Sequence, residues 1–347
     1  MSFSASSSCG PAASDFSDGD RAPLVSFCIP TFRRARFLGA TITSALAQTI
    51  HDMEVVVVDD QSPDETAEVV AAIKDPRVRY FRNERNLGVP ENLNRALSLA
   101  RGRYVVLLED HDLLAATYAE SAMALMRKHP RIAFVATGTT MIGEDGQPIA
   151  RYVAGDLDET MDGRKLLRRL LVRATCPFSV TTLIRREMIE RLNPPFEPQY
   201  SWYADQHLWM RLCTMGDFGY IAAPLLEMRV REAGHYLDGK EWESHLCVAR
   251  IHRDDWKLLH PTLSLRHVID LALYDLAKSW QLVMLRTSRA AKGRAWTAAD
   301  RENSRRFISR AGRALVFIAG LYPSGLLPAL RRFYRWQFQL RHRITPQ

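Results

Sequence analysis

The chain has 347 residues, of which 47% are hydrophobic and 25% charged, which excludes a small stapled module, a collagen-like chain and a polytopic membrane protein. Its five cysteines form no Cys-x-x-Cys pair and leave an odd count, which argues against a disulfide framework or thiolate zinc site and favours a reducing compartment. The formal charge of +8 is unevenly distributed, because residues 286–347 carry a local charge of +12 and the preceding residues sum to −4.

The first 22 residues are rich in Ser, Ala, Gly and Asp and have neither a cationic start nor an apolar run. This composition is typical of a disordered leader rather than a secretion signal. We therefore expect residues 1–22 to be disordered and the protein to be cytoplasmic.

Short β-branched, apolar runs alternate with helix-like segments through the first third of the chain. The runs are too brief for helices and apolar enough for buried parallel strands, and they fall at 24–29, 54–58, 78–81 and 104–108. Apolar residues at helical spacing fall at 36–48 and 91–100. This alternation predicts βαβ units and an α/β fold with a mostly parallel, Rossmann-like central sheet flanked by helices.

The pattern is less regular beyond about residue 130. Strand-like runs occur at 132–137, at 179–184 and from 218 onwards, and helical spacing occurs over 204–214. Residues 240–347 are predicted to be mainly helical.

An uncharged, apolar segment at 314–330 is interrupted by Pro and Gly and flanked by arginines on both sides. Its 17 residues are marginal for a bilayer span, which needs about 20. The segment is predicted either to lie on an anionic membrane surface or to form a packed helical hairpin. No RNA-binding signature accompanies the basic region, so nucleic acid is not an expected partner.

The first candidate for chemistry is the strand exit IPTFRR at 29–34. Pro30 fixes the chain as it leaves the sheet, and Phe32 either stacks on a nucleobase or belongs to the core. Arg33, Arg34 and Arg36 either meet phosphate or are solvated charges.

The second candidate is the pair of acids, Asp59 and Asp60, that ends the run VVVV. Adjacent carboxylates repel each other unless donors or a cation satisfy them. Either one caps the loop while the other accepts hydrogen bonds from a base or ribose, or both serve the turn.

The third candidate is the cluster Glu109, Asp110, His111 and Asp112, directly after a buried strand. Divalent cations that bind phosphate-bearing substrates prefer carboxylate oxygens. The cluster therefore predicts a metal site, in which His111 ligates the ion, orients the acids or makes a structural hydrogen bond.

The fourth candidate is Asp205, which precedes Leu208, Trp209 and Leu212 at helical spacing. Asp205 thus lies in the first turn on the inward face, where the helix dipole favours its ionised form and a proton can be accepted from an alcohol. The alternative is an acid that only stabilises its own helix.

Several common catalytic signatures are missing from the sequence. It contains no Gly-x-Gly-x-x-Gly after the first strand, no Walker A loop, no His-Glu-x-x-His and no Gly-x-Ser-x-Gly. Dinucleotide oxidoreduction, P-loop transfer, zinc proteolysis and serine hydrolysis therefore lack sequence support.

Four ordered segments resemble the family 2 inverting glycosyltransferases with the GT-A fold: VSFCIPTFRRARFLGATITSALAQT, EVVVVDDQSPDET, RNLGVPENLNRALSLARGRYVVLLEDHDLL and ADQHLWMRL. The resemblance covers about residues 24–232. It implies a nucleotide-diphosphate-sugar donor, a divalent metal ion (Mn²⁺ or Mg²⁺) and transfer of one sugar with inversion.

The resemblance also implies roles for individual residues. It places Asp205 as the general base and Asp110, Asp112 and His111 at the metal. It places the nucleotide-sugar donor on Pro30, Thr31, Phe32, Arg33, Asp60, Asn86, Gly88, Asn92, Asn94 and Asp110.

The sequence departs from the family pattern at several positions. His111 stands where the family often has aspartate, and Ala204 replaces a frequent glutamate. Arg231 stands where histidine is frequent, which leaves His235 as a possible substitute in a loop that closes over donor or acceptor.

The resemblance divides the chain into a GT-A domain at 23–238 and a helical C-terminal region at 239–347 that associates with the membrane. Within the domain, 23–113 is the nucleotide-binding half and 114–238 the acceptor half. The expected protein is a non-processive bacterial enzyme of surface-polysaccharide synthesis, peripheral on the inner face of the plasma membrane. Its acceptor is a lipid-linked or polysaccharide hydroxyl. The alternatives are a sugar-phosphate nucleotidyltransferase and an inactive scaffold that binds sugar nucleotides.

Overall fold

A computed structural model describes residues 22–154, 157–173 and 180–230, together with five positions further on: Ile251, Asp255, Leu258, Thr345 and Pro346. The expectations for residues 1–21, for Arg231 and His235, for the segment 314–330 and for most of the C-terminal region lie outside the described residues.

The first half of the domain is a parallel α/β unit, as the sequence predicts. Its elements are β1 (Val25–Thr31), α1 (Ala35–Leu46), β2 (Met53–Asp59), α2 (Thr66–Ala72), β3 (Val78–Arg82), α3 (Val89–Leu99) and β4 (Tyr104–Leu107). The four strands are parallel in the order β3-β2-β1-β4. Every residue of β2 is buried, which explains its uniformly apolar run.

The second half is mixed in strand direction. Its elements are β5 (Leu113–Leu114), α4 (Tyr118–Lys128), β6 (Ile132–Ile142), β7 (Pro148–Tyr152), β8 (Thr160–Met161), α5 (Gly163–Arg173), β9 (Thr182–Arg185), α6 (Arg186–Glu190), a 3-10 helix (Pro198–Tyr203), α7 (Ala204–Leu212), β10 (Asp217–Arg229) and β11 (Thr345–Pro346). Strand β9 lies antiparallel between β4 and β6, while β10 runs parallel to β6. The sheet therefore continues from the parallel unit as β4-β9-β6-β7-β11.

Some predicted bounds differ from the structure. The run from 218 onwards belongs to a 13-residue strand, β10, whose pairing with β6 shifts register around Pro224. The helix predicted over 204–214 ends at Leu212. Irregular pairing of this kind leaves no clean period in the sequence.

Apolar side chains pack on both faces of the sheet. One core lies under α3, α5 and α7, and the other lies under α1 and α4. The ring of Phe134 on β6 stacks on Trp209 of α7 with centroids 5.5 Å apart. This contact fixes the helix that carries Asp205. Within the described ranges, no helix combines the length and apolarity that crossing a membrane requires.

Candidate functional site

A pocket of about 620 Å³ opens at the carboxyl ends of β1, β2 and β4. This is the edge at which open α/β sheets bind ligands, and the volume is typical of small-molecule sites. Many of the predicted site residues line it: Pro30, Thr31, Phe32, Arg33, Asp60, Asn86, Gly88, Asn92, Asp110 and His111. Asp112 and Asp205 are not among the lining residues, although the charge of Asp205 contributes to the raised pKa of the lining residue Glu109.

The exit of β1 presents an aromatic ring beside a cation. Phe32 is 38% exposed, and the Arg33 guanidinium lies 5.1 Å from its ring centroid. The backbone N–H of Phe32 donates to Asp110 at 3.3 Å, and Arg34 Nε lies 3.6 Å from the same carboxylate. Asp110 therefore joins the exit of β1 to the acidic cluster.

Asp59 is enclosed at the end of β2. Its Oδ1 accepts the backbone N–H of Ser62 at 2.8 Å, and its Oδ2 accepts the hydroxyl of Tyr80 at 2.6 Å. With no exposed surface of its own, Asp59 caps the loop that follows the strand.

Asp60 holds the loop that begins α3. Its carboxylate accepts the backbone N–H groups of Leu87 at 2.7 Å and Gly88 at 2.9 Å, and the amide of Asn83 at 2.6 Å. Gly88 has a φ of +88°, a conformation that glycine adopts without strain. Asp60 and Asn83 therefore shape this side of the pocket. Asn83 was not predicted from the sequence.

Glu109, His111 and Asp112 bring ligand atoms within 4.8 Å of one another. His111 Nε2 lies 4.0 Å from Glu109 Oε2 and 3.9 Å from Asp112 Oδ1. The sequence analysis placed Asp110 in the metal set, whereas here its Oδ1 lies 3.0 Å from His111 Nδ1, on the far side of the imidazole. Asp110 therefore contacts the imidazole of this cluster, and its role as a metal ligand stays a prediction.

The electrostatics of this cluster favour a cation. Loss of hydration, and then the charge of Asp112, raise the pKa of Glu109. Burial also raises the pKa of Asp112, although the backbone N–H of Arg229 donates to its Oδ1 at 3.0 Å. Two carboxylates and an imidazole form a donor set that suits Mn²⁺, and a divalent ion would offset their mutual repulsion.

Arg229, at the end of β10, braces the loop of the acidic cluster. Its Nε donates to the carbonyl of His111 at 3.2 Å, and its Nη1 donates to the carbonyls of Gly143 at 2.9 Å and Glu144 at 3.0 Å. The sequence analysis did not single out Arg229, because its partners lie 85 or more residues away.

Asp205 lies in the first turn of α7, as predicted. Its Oδ1 accepts the backbone N–H of Gln206 at 2.8 Å. Burial outweighs this contact and raises the pKa of Asp205 to about 6. The sequence analysis expected the helix dipole to hold Asp205 ionised. The structure adds a burial effect that increases its basicity while leaving it mostly ionised at neutral pH.

A mostly parallel sheet with a pocket and an acidic cluster at its strand ends is the architecture of the GT-A class. Crystal structures of TarS 1–349 from S. aureus share this fold. One has a TM-score of 0.54 and 18% identity, and covers 81% of this chain and 89% of that chain. A second, in complex with UDP-GlcNAc, has a TM-score of 0.50 and 17% identity over 75% and 80% of the two chains.

The family model of Glycosyl transferase family 2 matches residues 26–192 of this chain. Chondroitin synthase from Escherichia coli is 34% identical over 38% of this chain and 19% of its own length. The β-1,3-glucosyltransferase WfgD from Escherichia coli is 27% identical over 54% and 69% of the two chains. The chain matches about a fifth or less of the length of the chondroitin and hyaluronan synthases. Asp205 lies beyond the matched family segment.

Proposed function

We propose that this protein is an inverting glycosyltransferase that moves a sugar from a nucleotide-diphosphate-sugar to a hydroxyl of a saccharide or lipid-linked acceptor. The observation that carries the proposal is one pocket bounded by the β1 exit, the acidic cluster and the segment before α7. Similar proteins support it, since one TarS structure is in complex with UDP-GlcNAc and WfgD is a UDP-Glc:α-D-GlcNAc-diphosphoundecaprenol β-1,3-glucosyltransferase.

In the proposed complex, the base stacks on Phe32, and the loop held by Asp60 forms the wall beside the ribose. The diphosphate points toward Arg33 and the acidic cluster. Glu109, His111 and Asp112 would hold a divalent ion, which when bound offsets the charge that develops on the departing nucleoside diphosphate.

Asp205 is the proposed general base. Its carboxylate accepts the proton of the acceptor hydroxyl as that oxygen attacks the anomeric carbon on the face opposite the leaving group. A pKa raised to about 6 suits this task, because the group is ionised at neutral pH yet more basic than an ordinary aspartate. Direct displacement then inverts the anomeric centre.

Donor turnover with Mn²⁺ or Mg²⁺ tests the proposal. Wild type should release nucleoside diphosphate in a metal-dependent reaction, and Asp205→Asn should lose about 10²- to 10⁴-fold in rate. Asp158→Asn is a matched control on an exposed aspartate. An inactive scaffold would show no metal-dependent turnover in any variant, and a nucleotidyltransferase would instead consume a nucleoside triphosphate and a sugar phosphate. A calorimetric screen of nucleoside diphosphates identifies the nucleobase that the protein prefers.

We also propose that the basic C-terminal region holds the enzyme on the anionic inner face of the plasma membrane. The support is the sequence alone: an apolar segment at 314–330 followed by Arg331, Arg332 and Arg335. Replacing these three arginines with glutamate should release the protein from vesicles that contain anionic lipid. Unchanged binding would contradict this part of the proposal.

A further inference from the structure

His207 of α7 is buried between two carboxylates that approach from different parts of the chain. Its Nδ1 lies 2.8 Å from Asp255, and its Nε2 lies 3.2 Å from Glu197 Oε1. His207 is 6% exposed and Asp255 is 2% exposed. The ring of Tyr200 covers the imidazole, with centroids 4.6 Å apart. Water therefore has little access to either contact.

The imidazole of His207 links two segments to α7. Each of its ring nitrogens lies within hydrogen-bond distance of a carboxylate. Arg211 Nη1, one turn further along α7, lies 3.6 Å from Glu197 and adds a second contact between the helix and that residue.

The three members of this cluster belong to parts of the molecule that surround the proposed base. His207 lies two residues after Asp205 on the same helix. Glu197 directly precedes the 3-10 helix whose residues Pro198 and Ser201 line the pocket.

Asp255 brings in the C-terminal region. It shares helical spacing with Ile251 and Leu258, both of which pack against the core that contains α7. His207 is thus the point at which the pocket wall, the proposed base and the C-terminal region meet.

We propose that His207 is a positioning residue: it holds the segment 197–203 and Asp255 against α7, and so directs Asp205 toward the acceptor hydroxyl. The proposal rests on the proposed glycosyl transfer for its effect on rate. Its holding role is independent of that reaction.

The holding role is tested by hydrogen exchange at one pH. We expect His207→Gln to lose about tenfold or more in the protection of amides in 197–212, while β1 to β4 keep theirs. Unchanged protection of 197–212 overturns the proposal even if no transfer activity is found, so failure of the proposed function remains distinguishable.

The effect on rate is tested by steady-state kinetics. His207→Gln should lower kcat about 10- to 100-fold, with donor KM changed less than about twofold, because the base is displaced and not the donor site. A kcat in His207→Gln equal to that of wild type overturns the proposal.

Glu197→Gln is the conservative variant. The glutamine side chain keeps a hydrogen-bonding group beside His207, so this variant should keep most of the activity and most of the protection of 197–212. A loss as large as that of His207→Gln overturns the proposal. Glu190→Gln, which alters an exposed ion pair with Arg186, should behave as wild type.

Discussion

The exits of β2 and β4 both carry adjacent acids, but the two sets of carboxylates are satisfied in different ways. Asp60 accepts two backbone N–H groups and one amide from its own side of the pocket. At the exit of β4, burial raises the pKa of Glu109 and of Asp112. The carboxylate of Asp60 is thus stabilised by hydrogen bonds within the pocket wall. The acids after β4 have fewer internal hydrogen bonds and favour a bound cation.

The difference has a local cause. The loop after β3 turns at Gly88 and directs consecutive N–H groups at Asp60. Asp112, in the loop after β4, receives one well-placed backbone N–H, from Arg229 at the end of β10, and a hydrogen bond from the hydroxyl of Thr181 just before β9. Acids with few donors favour a bound cation, because nothing else in a buried site offsets their charge.

The largest effect should come from Asp112→Asn. Loss of a buried carboxylate from the cluster should weaken Mn²⁺ binding strongly and lower kcat about 10³-fold. Stability at pH 7 should stay equal or rise, because the native state holds this acid with a raised pKa and its ionisation opposes folding there. Mn²⁺ titration by electron paramagnetic resonance and urea unfolding measure the two quantities. A large loss of stability would mean that Asp112, like Asp60, is stabilised mainly by hydrogen bonds within the protein.

A matched pair of variants decides which acid beside His111 ligates the metal. Glu109→Gln should weaken Mn²⁺ affinity about 10- to 100-fold, because Glu109 shares the cluster with His111 and Asp112. Asp110→Asn should change it less, since that carboxylate engages Phe32 and Arg34. If Asp110→Asn had the larger effect, the ligand beside His111 would be Asp110, as the sequence predicted, and not Glu109.

Asp60→Asn should act mainly on stability. The asparagine amide would place its own N–H groups next to the backbone N–H of Leu87 or Gly88, which would lose its acceptor. We therefore expect a loss of about 3 kcal/mol in the free energy of unfolding. Mn²⁺ affinity should be unchanged, which separates this acid from the cluster. Glu84→Gln, on an exposed neighbour, controls for the loss of one charge, and urea unfolding measures both variants.

The parallel unit could be predicted because its strands are short and largely apolar, and because acids directly follow the apolar runs of β2 and β4. The same reasoning located the pocket lining from Pro30 to Asp110. It missed α4, the length of β10, and the partners of His207 and Arg229. These contacts join residues 48 and 118 positions apart, and no local period marks such a pairing.

Asp205, the proposed general base, should make both the rate and the stability depend on pH. Its pKa is raised to about 6 by burial, so kcat should fall about tenfold between pH 7 and pH 5 as the carboxylate gains a proton. The sign for stability is opposite to that of an ordinary aspartate. The native state binds the proton more tightly than the unfolded state, so this group's contribution to stability declines as pH rises from about 4 to about 6.

Asp205→Asn should therefore be more stable than wild type at pH 7, by up to about 3 kcal/mol, and equally stable at pH 3. Urea unfolding at the two pH values measures this difference, with Asp158→Asn as the control for charge. A variant that is less stable than wild type at pH 7 would mean that Asp205, like Asp60, is held by internal donors and serves the helix rather than the acceptor.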